Sequence, residues 1–221
     1  LARLVPGIDT SGAEKAAGLS IPFAVTPYYA SLMDPDAGSG DRALRAQVVP
    51  SKEYVESFEA ARQRADLDFM RERDTSPVDL VTRRYPAIAI LKPYNACPQV
   101  CVYCQRNWEI EGAMSPTAMA PESCLDDALD WIADHPSIRE VLLTGGDPLA
   151  MDDSVLGSIL RRIAAIDHVD LVRIGTRTPV TMPMFTVTCQ KIIEATPTQT
   201  VMPKRSRASR PTLSTQSTSS P

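Results

Sequence analysis

Two rhythms of apolar residues alternate between Pro86 and Ile174. Pro86 to Leu91 is a short, nearly unbroken apolar run, the pattern of a strand buried on both faces. Ser123 to Asp134 instead spaces Leu125, Ala128, Leu129, Ile132 and Ala133 at helical intervals and stops before Pro136. Val141-Leu142-Leu143 is a second continuous strand pattern, broken by Gly145-Gly146. Asp153 to Ile166 carries Val155, Leu156, Ile159, Leu160 and Ile163 on one side of a second helix, and His168 to Ile174 reads as a third strand. Strand, helix, strand, helix, strand at these lengths predicts parallel pairing through right-handed crossovers. The expected fold class is α/β, an incomplete (βα) barrel. A cysteine loop stands where a dinucleotide-binding sheet carries its glycine-rich turn.

Residues 1–82 read as a helical amino-terminal segment, and 83–187 as the partial barrel. Within the first, Ile21 to Asp36 predicts a short helix stopped by Pro35. Glu53 to Arg73, with Val55, Phe58, Ala61 and Ala65 near helical spacing, predicts an amphipathic helix whose charges form a solvated face. Residues 188–221 differ. Beyond Glu194 there is no acidic residue and more than half of the positions are Ser, Thr or Pro, so this tail is expected to be disordered or non-native.

Charge and composition narrow the class. A net charge of −4 argues against nucleic acid as a partner. No apolar run approaches a membrane span, which predicts a soluble, cytoplasmic protein. The odd count of five cysteines, with no secretory leader, speaks against a disulfide framework.

Cys97, Cys101 and Cys104 form Cys-x-x-x-Cys-x-x-Cys directly after the first strand pattern. Three thiolates on one short loop suit three corners of an iron–sulfur cube and leave one iron open. An open iron points to reductive cleavage of S-adenosylmethionine (SAM). The competing reading is a zinc site, which normally wants four ligands. His135, His168, Cys124 and Cys189 supply no second paired knuckle.

The working surface of parallel α/β folds lies at the carboxyl ends of the strands, where the cysteine loop and Gly145-Gly146-Asp147-Pro148 both fall. The glycines let a ligand lie against backbone, and Asp147 can meet its polar groups; the alternative is a plain turn. Arg173 and Arg177 bracket the end of the third strand. Arg173 either points into the barrel to bind an anion or pairs with a neighbouring acid. Arg106, two residues after Cys104, is placed either to hold a carboxylate or at the surface.

Together these residues resemble the lysine 2,3-aminomutase family of radical-SAM enzymes. The resemblance is carried by Thr26-Pro27-Tyr28-Tyr29-Ala30-Ser31-Leu32-Met33-Asp34, Arg84-Tyr85-Pro86, the cysteine loop, Leu143 to Leu149, and Arg173 to Val180. It implies a [4Fe–4S] cluster on the three cysteines and SAM chelated at its open iron. It also implies an amino acid held by pyridoxal phosphate (PLP), whose nitrogen migrates from carbon 2 to carbon 3. Tyr103 would lie near the adenine, and Gly145, Gly146 and Asp147 near the methionine part of SAM, with Arg173 and Arg177 also on the cofactor side. Arg106 would meet the substrate carboxylate, and Arg84 and Tyr85 would lie close to PLP. A reductant such as flavodoxin or ferredoxin and a homo-oligomeric state belong to the same picture.

The family's PLP lysine lies downstream of the Arg-Thr-Pro-Val string, beyond where this chain loses the pattern. Neither Lys191 nor Lys204 is assigned that role. The expectation is therefore an amino-terminal piece of an aminomutase that lacks the PLP lysine. The alternatives are a non-catalytic cluster-binding fragment, or a homologue acting on another amino acid or a protein lysine.

Overall fold

Parallel pairing of the apolar strands organises the molecule. The computed structural model describes residues 1–19, 21–35, 40–62, 68, 70–106, 109–115 and 117–184. Its main sheet holds β1 (Val81–Tyr85), β2 (Ile88–Tyr94), β5 (Glu140–Gly145) and β6 (Leu171–Ile174), in that order. β2, β5 and β6 are parallel, with Ala89 opposite Val141 and Val141 opposite Val172. A two-stranded parallel ladder, β3 (Ala96–Cys97) with β4 (Gly112–Ala113), continues from the carboxyl end of β2.

Side-chain alternation decides which sheet face is covered. Ala89, Leu91, Val141 and Leu143 point one way and are fully buried. They share a core with Leu125, Ala128, Leu129 and Ile132 of α5 (Glu122–Ala133) and Leu156, Ile159 and Ile163 of α6 (Asp153–Ala164). Burying a side chain of this kind stabilises by about 1.5–3 kcal/mol, so this layer is the main source of stability. Ile88, Ile90 and Lys92 of β2 alternate with the core residues, and so belong to the opposite, inner face.

The amino-terminal segment is built from short helices: α1 (Ser11–Gly18), α2 (Pro27–Ser31), α3 (Arg42–Ala46) and α4 (Lys52–Arg62). Two small clusters bury it, Val5, Tyr29, Ala30, Met33 and Val48 in one and Ala16, Ile21 and Val55 in the other. A short helix, α7 (Thr178–Thr181), follows β6. No helix among the described residues is long and apolar enough to cross a membrane.

Several expectations need correction. The helix expected over Ile21 to Asp36 is only α2, because a residue preceding proline is driven to extended backbone: Thr26 has ψ 149° and caps the helix through Tyr29 N–H. The helix expected to reach Arg73 is described over Lys52–Arg62, residues 63–67 lie outside the described residues, and at Asp68 the chain is not helical. Asp68 instead accepts from Glu72 N–H at 2.8 Å and Arg73 N–H at 3.0 Å and starts a 3-10 turn at Arg73–Thr75. β1 was not expected at all; it lies antiparallel on β2 and spans the boundary placed at 82/83. The strand expected over Pro86 to Leu91 runs on to Tyr94, and that expected from His168 begins at Leu171. The Ser/Thr/Pro-rich tail lies outside the described residues.

Candidate functional site

The cysteine loop leaves β2 at the sheet's carboxyl end and is braced from outside the barrel. Val100 N–H donates to Ala24 at 3.0 Å, Val102 N–H to Gln47 at 2.8 Å, and the Tyr54 hydroxyl to the Val102 carbonyl at 2.6 Å. Backbone groups that make no ladder are thus satisfied by the amino-terminal segment. Gln99, buried in the loop, accepts from Thr26 N–H at 3.5 Å. The helical segment is the outer wall of the cysteine loop.

Cys97, Cys101 and Cys104 are free thiols, each half-buried. Burial pushes Cys97 up to about 12, with the Asp147 carboxylate and the other two cysteines adding to it. Cys104 is also raised, by burial first, with Cys101 and Glu109 reinforcing and Arg106 opposing. Among the described residues no three His, Cys, Asp or Glu side chains are gathered tightly enough to hold a single metal ion. His135 and His168 are engaged elsewhere: their rings contact the carbonyls of Trp131 (2.6 Å) and Ile132 (3.1 Å) on α5, at the opposite end of the sheet.

The Gly-Gly-Asp turn packs closely against the strand that enters the cysteine loop. A Cβ on Gly146 would stand 2.2 Å from the Ala96 oxygen, and one on Gly145 2.9 Å from the Tyr94 oxygen. Gly145 also has φ +113°. What lies against these glycines is the strand entering the cysteine loop. Gly146 N–H donates to Tyr94 at 2.6 Å and Asp147 N–H to Ala96 at 2.9 Å.

Asp147, 5% exposed, is fully engaged by protein. It accepts from Leu149 N–H (3.1 Å), Thr176 Oγ1 (2.6 Å), Arg177 N–H (2.8 Å) and Thr178 N–H (3.0 Å). Its carboxylate stitches the turn after β5 to the turn after β6, where the sequence reading had it facing a cofactor.

Arg177 is brought to the cysteines. Its Nη1 donates to Cys101 Sγ and to the Tyr103 hydroxyl, both at 2.7 Å, and Nη2 donates to Gln47 at 2.6 Å. Burial opposes its charge, but Cys101 and Tyr103 outweigh that and raise its affinity for the proton. Tyr103 is 61% exposed, its ring 5.6 Å from the guanidinium carbon. Arg173 is not gathered in; it pairs with Glu140 on the inner face, the acid-paired alternative.

Arg106 enters a buried charge network. It donates to Glu72 at 2.8 Å, Lys92 stands 3.1 Å from Glu72 and 3.6 Å from Glu109, and Arg106 Nη1 is buried with no hydrogen-bond partner among the described residues. A cavity of about 420 Å³ opens here, lined by Glu72, Ser76, Asp79, Lys92 and Glu109 among others. Sequence reading missed Lys92, although a lysine two residues after Ile90 in an apolar strand was the available signal. Glu72, Glu109 and Gln47 carried none. Arg84 and Tyr85 are not brought to the cysteines. Tyr85 pairs with Ile88 at the amino end of β2, and Arg84 donates to the Met70 carbonyl.

A parallel βα sheet with three cysteines at its carboxyl end defines the class, and the comparisons agree. A model of the radical SAM superfamily matches residues 91–200. An uncharacterized KamA family protein of Methanocaldococcus jannaschii is 49% identical over 77% of this chain and 28% of its own length. A glutamate 2,3-aminomutase of Clostridioides difficile is 37% identical over 76% of this chain and 38% of its own. An L-lysine 2,3-aminomutase of Bacillus subtilis is 39% identical over 74% of this chain and 33% of its own. The chain belongs to the lysine 2,3-aminomutase family of the radical SAM superfamily. It spans about a third of the length of these curated relatives.

Proposed function

We propose that Cys97, Cys101 and Cys104 hold a [4Fe–4S] cluster and that the whole protein is a SAM-dependent amino-acid 2,3-aminomutase. The observation that carries this is the placement of three free thiols on one loop at the carboxyl end of a parallel sheet. The donor set fits the cube. A cube takes one thiolate at each of three corners, so its ligands stand apart, whereas a zinc ion needs all of them within about 2.3 Å of one centre. When bound, the cluster supplies the electron that cleaves SAM, with a flavodoxin- or ferredoxin-like partner as its source.

The chain's own residues shape the surroundings. Gly145 and Gly146 press the cysteine loop against the sheet, and Gln47 and Tyr54 hold it from outside. The polar cavity lined by Glu72, Lys92 and Glu109 is the place for an amino acid. Arg106 has a buried donor to offer a carboxylate, and Glu72 and Glu109 can face an ammonium. PLP belongs to the proposal for the whole protein only. The described lysines do not form its site: Lys92 is neutralised by two glutamates, Lys15 pairs with Glu56, and Lys52 is exposed on α4.

Anaerobic reconstitution with iron and sulfide, followed by Mössbauer spectroscopy and an assay for SAM cleavage under a strong reductant, tests the proposal. Four irons per chain with SAM turnover are expected. Stoichiometric zinc with no iron–sulfur signal overturns it.

A further inference from the structure

We propose that Arg177 is a positioning residue for the cluster, donating to the sulfur of Cys101, and that Asp147 holds it there; this rests on the cluster reading above. Arg177 sits on the loop after β6, 76 residues beyond Cys101. Its guanidinium reaches the sulfur because both ends of the residue are fixed. The backbone N–H is tied to Asp147 at 2.8 Å, and Nη2 is tied to Gln47 at 2.6 Å. Gln47 in turn takes Val102 N–H on its own carbonyl, so one residue aligns both the guanidinium and the loop that carries the thiol. Tyr103 closes the other side, accepting from Nη1 while its ring lies 5.6 Å from the guanidinium carbon.

A cationic donor on a ligand sulfur has a defined effect. It favours the more negative, reduced form of a cluster, and hydrogen bonds to sulfur are among the terms that set cluster potential. It also makes the three corners unequal. Cys101 has a guanidinium donor, whereas Cys104 lies in the field of both Arg106 and Glu109, and Cys97 faces the Asp147 carboxylate. Asp147 acts through Arg177. Its four accepted hydrogen bonds leave it as the anchor of the β6 turn.

The test compares reconstituted wild-type chain with Arg177→Met, Asp147→Asn, Gln47→Leu and the Arg177→Met/Asp147→Asn double variant. Iron and sulfide content, thermal unfolding, and an electron-paramagnetic-resonance redox titration without SAM are read for each. Arg177→Met is expected to move the midpoint potential to more negative values, or to lose iron from a chain whose unfolding temperature is unchanged. Asp147→Asn loosens Arg177 but also removes a carboxylate that opposes negative charge at Cys97, so its shift should be smaller than that of Arg177→Met, and the double variant should lie no lower than Arg177→Met alone. Should Arg177→Met fail to fold, Gln47→Leu, which loosens the guanidinium without touching the β6 turn, must still lower the potential. Unchanged potential and iron content overturn the proposal, as does a defect confined to SAM affinity. A wild-type chain that takes up no cluster overturns the cluster reading itself, a result distinct from an unchanged potential.

Discussion

The Thr26 hydroxyl donates to the backbone oxygen of Thr181, joining the start of α2 to the end of α7 across 155 residues. Both residues are buried, and the same hydroxyl accepts from Tyr29 N–H. The amino-terminal segment is thereby locked over the turn that carries Arg177, with the cysteine loop between them. Thr26→Val keeps the shape and removes the hydroxyl, so a loss of about 1–3 kcal/mol is expected from the lost cap and the unpaired carbonyl. Urea unfolding measures it, and Thr26→Ser should recover most of the loss.

Gly146→Ala forces a methyl group against the Ala96 backbone, which cannot swing away as a flexible side chain could. A strong loss of stability, about 3 kcal/mol or more, and impaired cluster uptake are expected. Gly18→Ala is the control: nothing stands within 4 Å, and the site closes α1. There a gain of up to about 1 kcal/mol is expected. Comparable effects at the two glycines would refute the close approach at Gly146.

The metal-free chain should lose stability in alkali. Cys97 is raised to about 12 in the folded chain, above its ordinary value of 9.0. Between these values the folded chain holds a proton that the unfolded chain has released. The stabilisation is complete below about pH 9 and is lost as pH rises toward 12, with a slope of up to about 1.4 kcal/mol per pH unit from this thiol. Denaturation series from pH 8 to 11 on wild type and Cys97→Ala measure it. The slope should be shallower in the variant. Cluster loading releases the thiol protons, so uptake should improve as pH rises over the neutral range.

Lys92→Met leaves Glu72 and Glu109 facing each other with Arg106 as their remaining buried cation. Their side chains are 12% and 20% exposed, so removing the lysine should cost about 3–5 kcal/mol. Lys92→Met/Glu109→Gln, which restores charge balance, should recover part of it. A thermal-unfolding double-mutant cycle reads the coupling, and simple additivity of the two substitutions would count against the network.

Much of the sheet was legible because buried strands and amphipathic helices write their burial into residue spacing. β2, β5, β6, α5 and α6 all fall close to their expected places. β1 escaped because Val81-Thr-Arg-Arg-Tyr has no apolar run or clean alternation, and only its pairing with β2 makes it a strand. α4 was overextended because Asp68 competes for the backbone amides of the next turn, a local effect that hydrophobic periodicity does not register.

Spacing on a short loop was enough to single out Cys97, Cys101 and Cys104 as one ligand set, because sequence neighbours on a tight loop stay neighbours in space. It was also enough to place the Gly-Gly-Asp turn at the same end of the sheet. Which way those residues face is a different matter. That Gly145 and Gly146 receive backbone, that Asp147 is consumed by the β6 turn, and that Gln47, Arg177 and Cys101 meet are consequences of long-range closure. Hydrogen bonds between residues 30 to 130 positions apart leave no periodic trace in the chain. The tertiary structure alone decided them, because only the packed sheet brings their partners within reach.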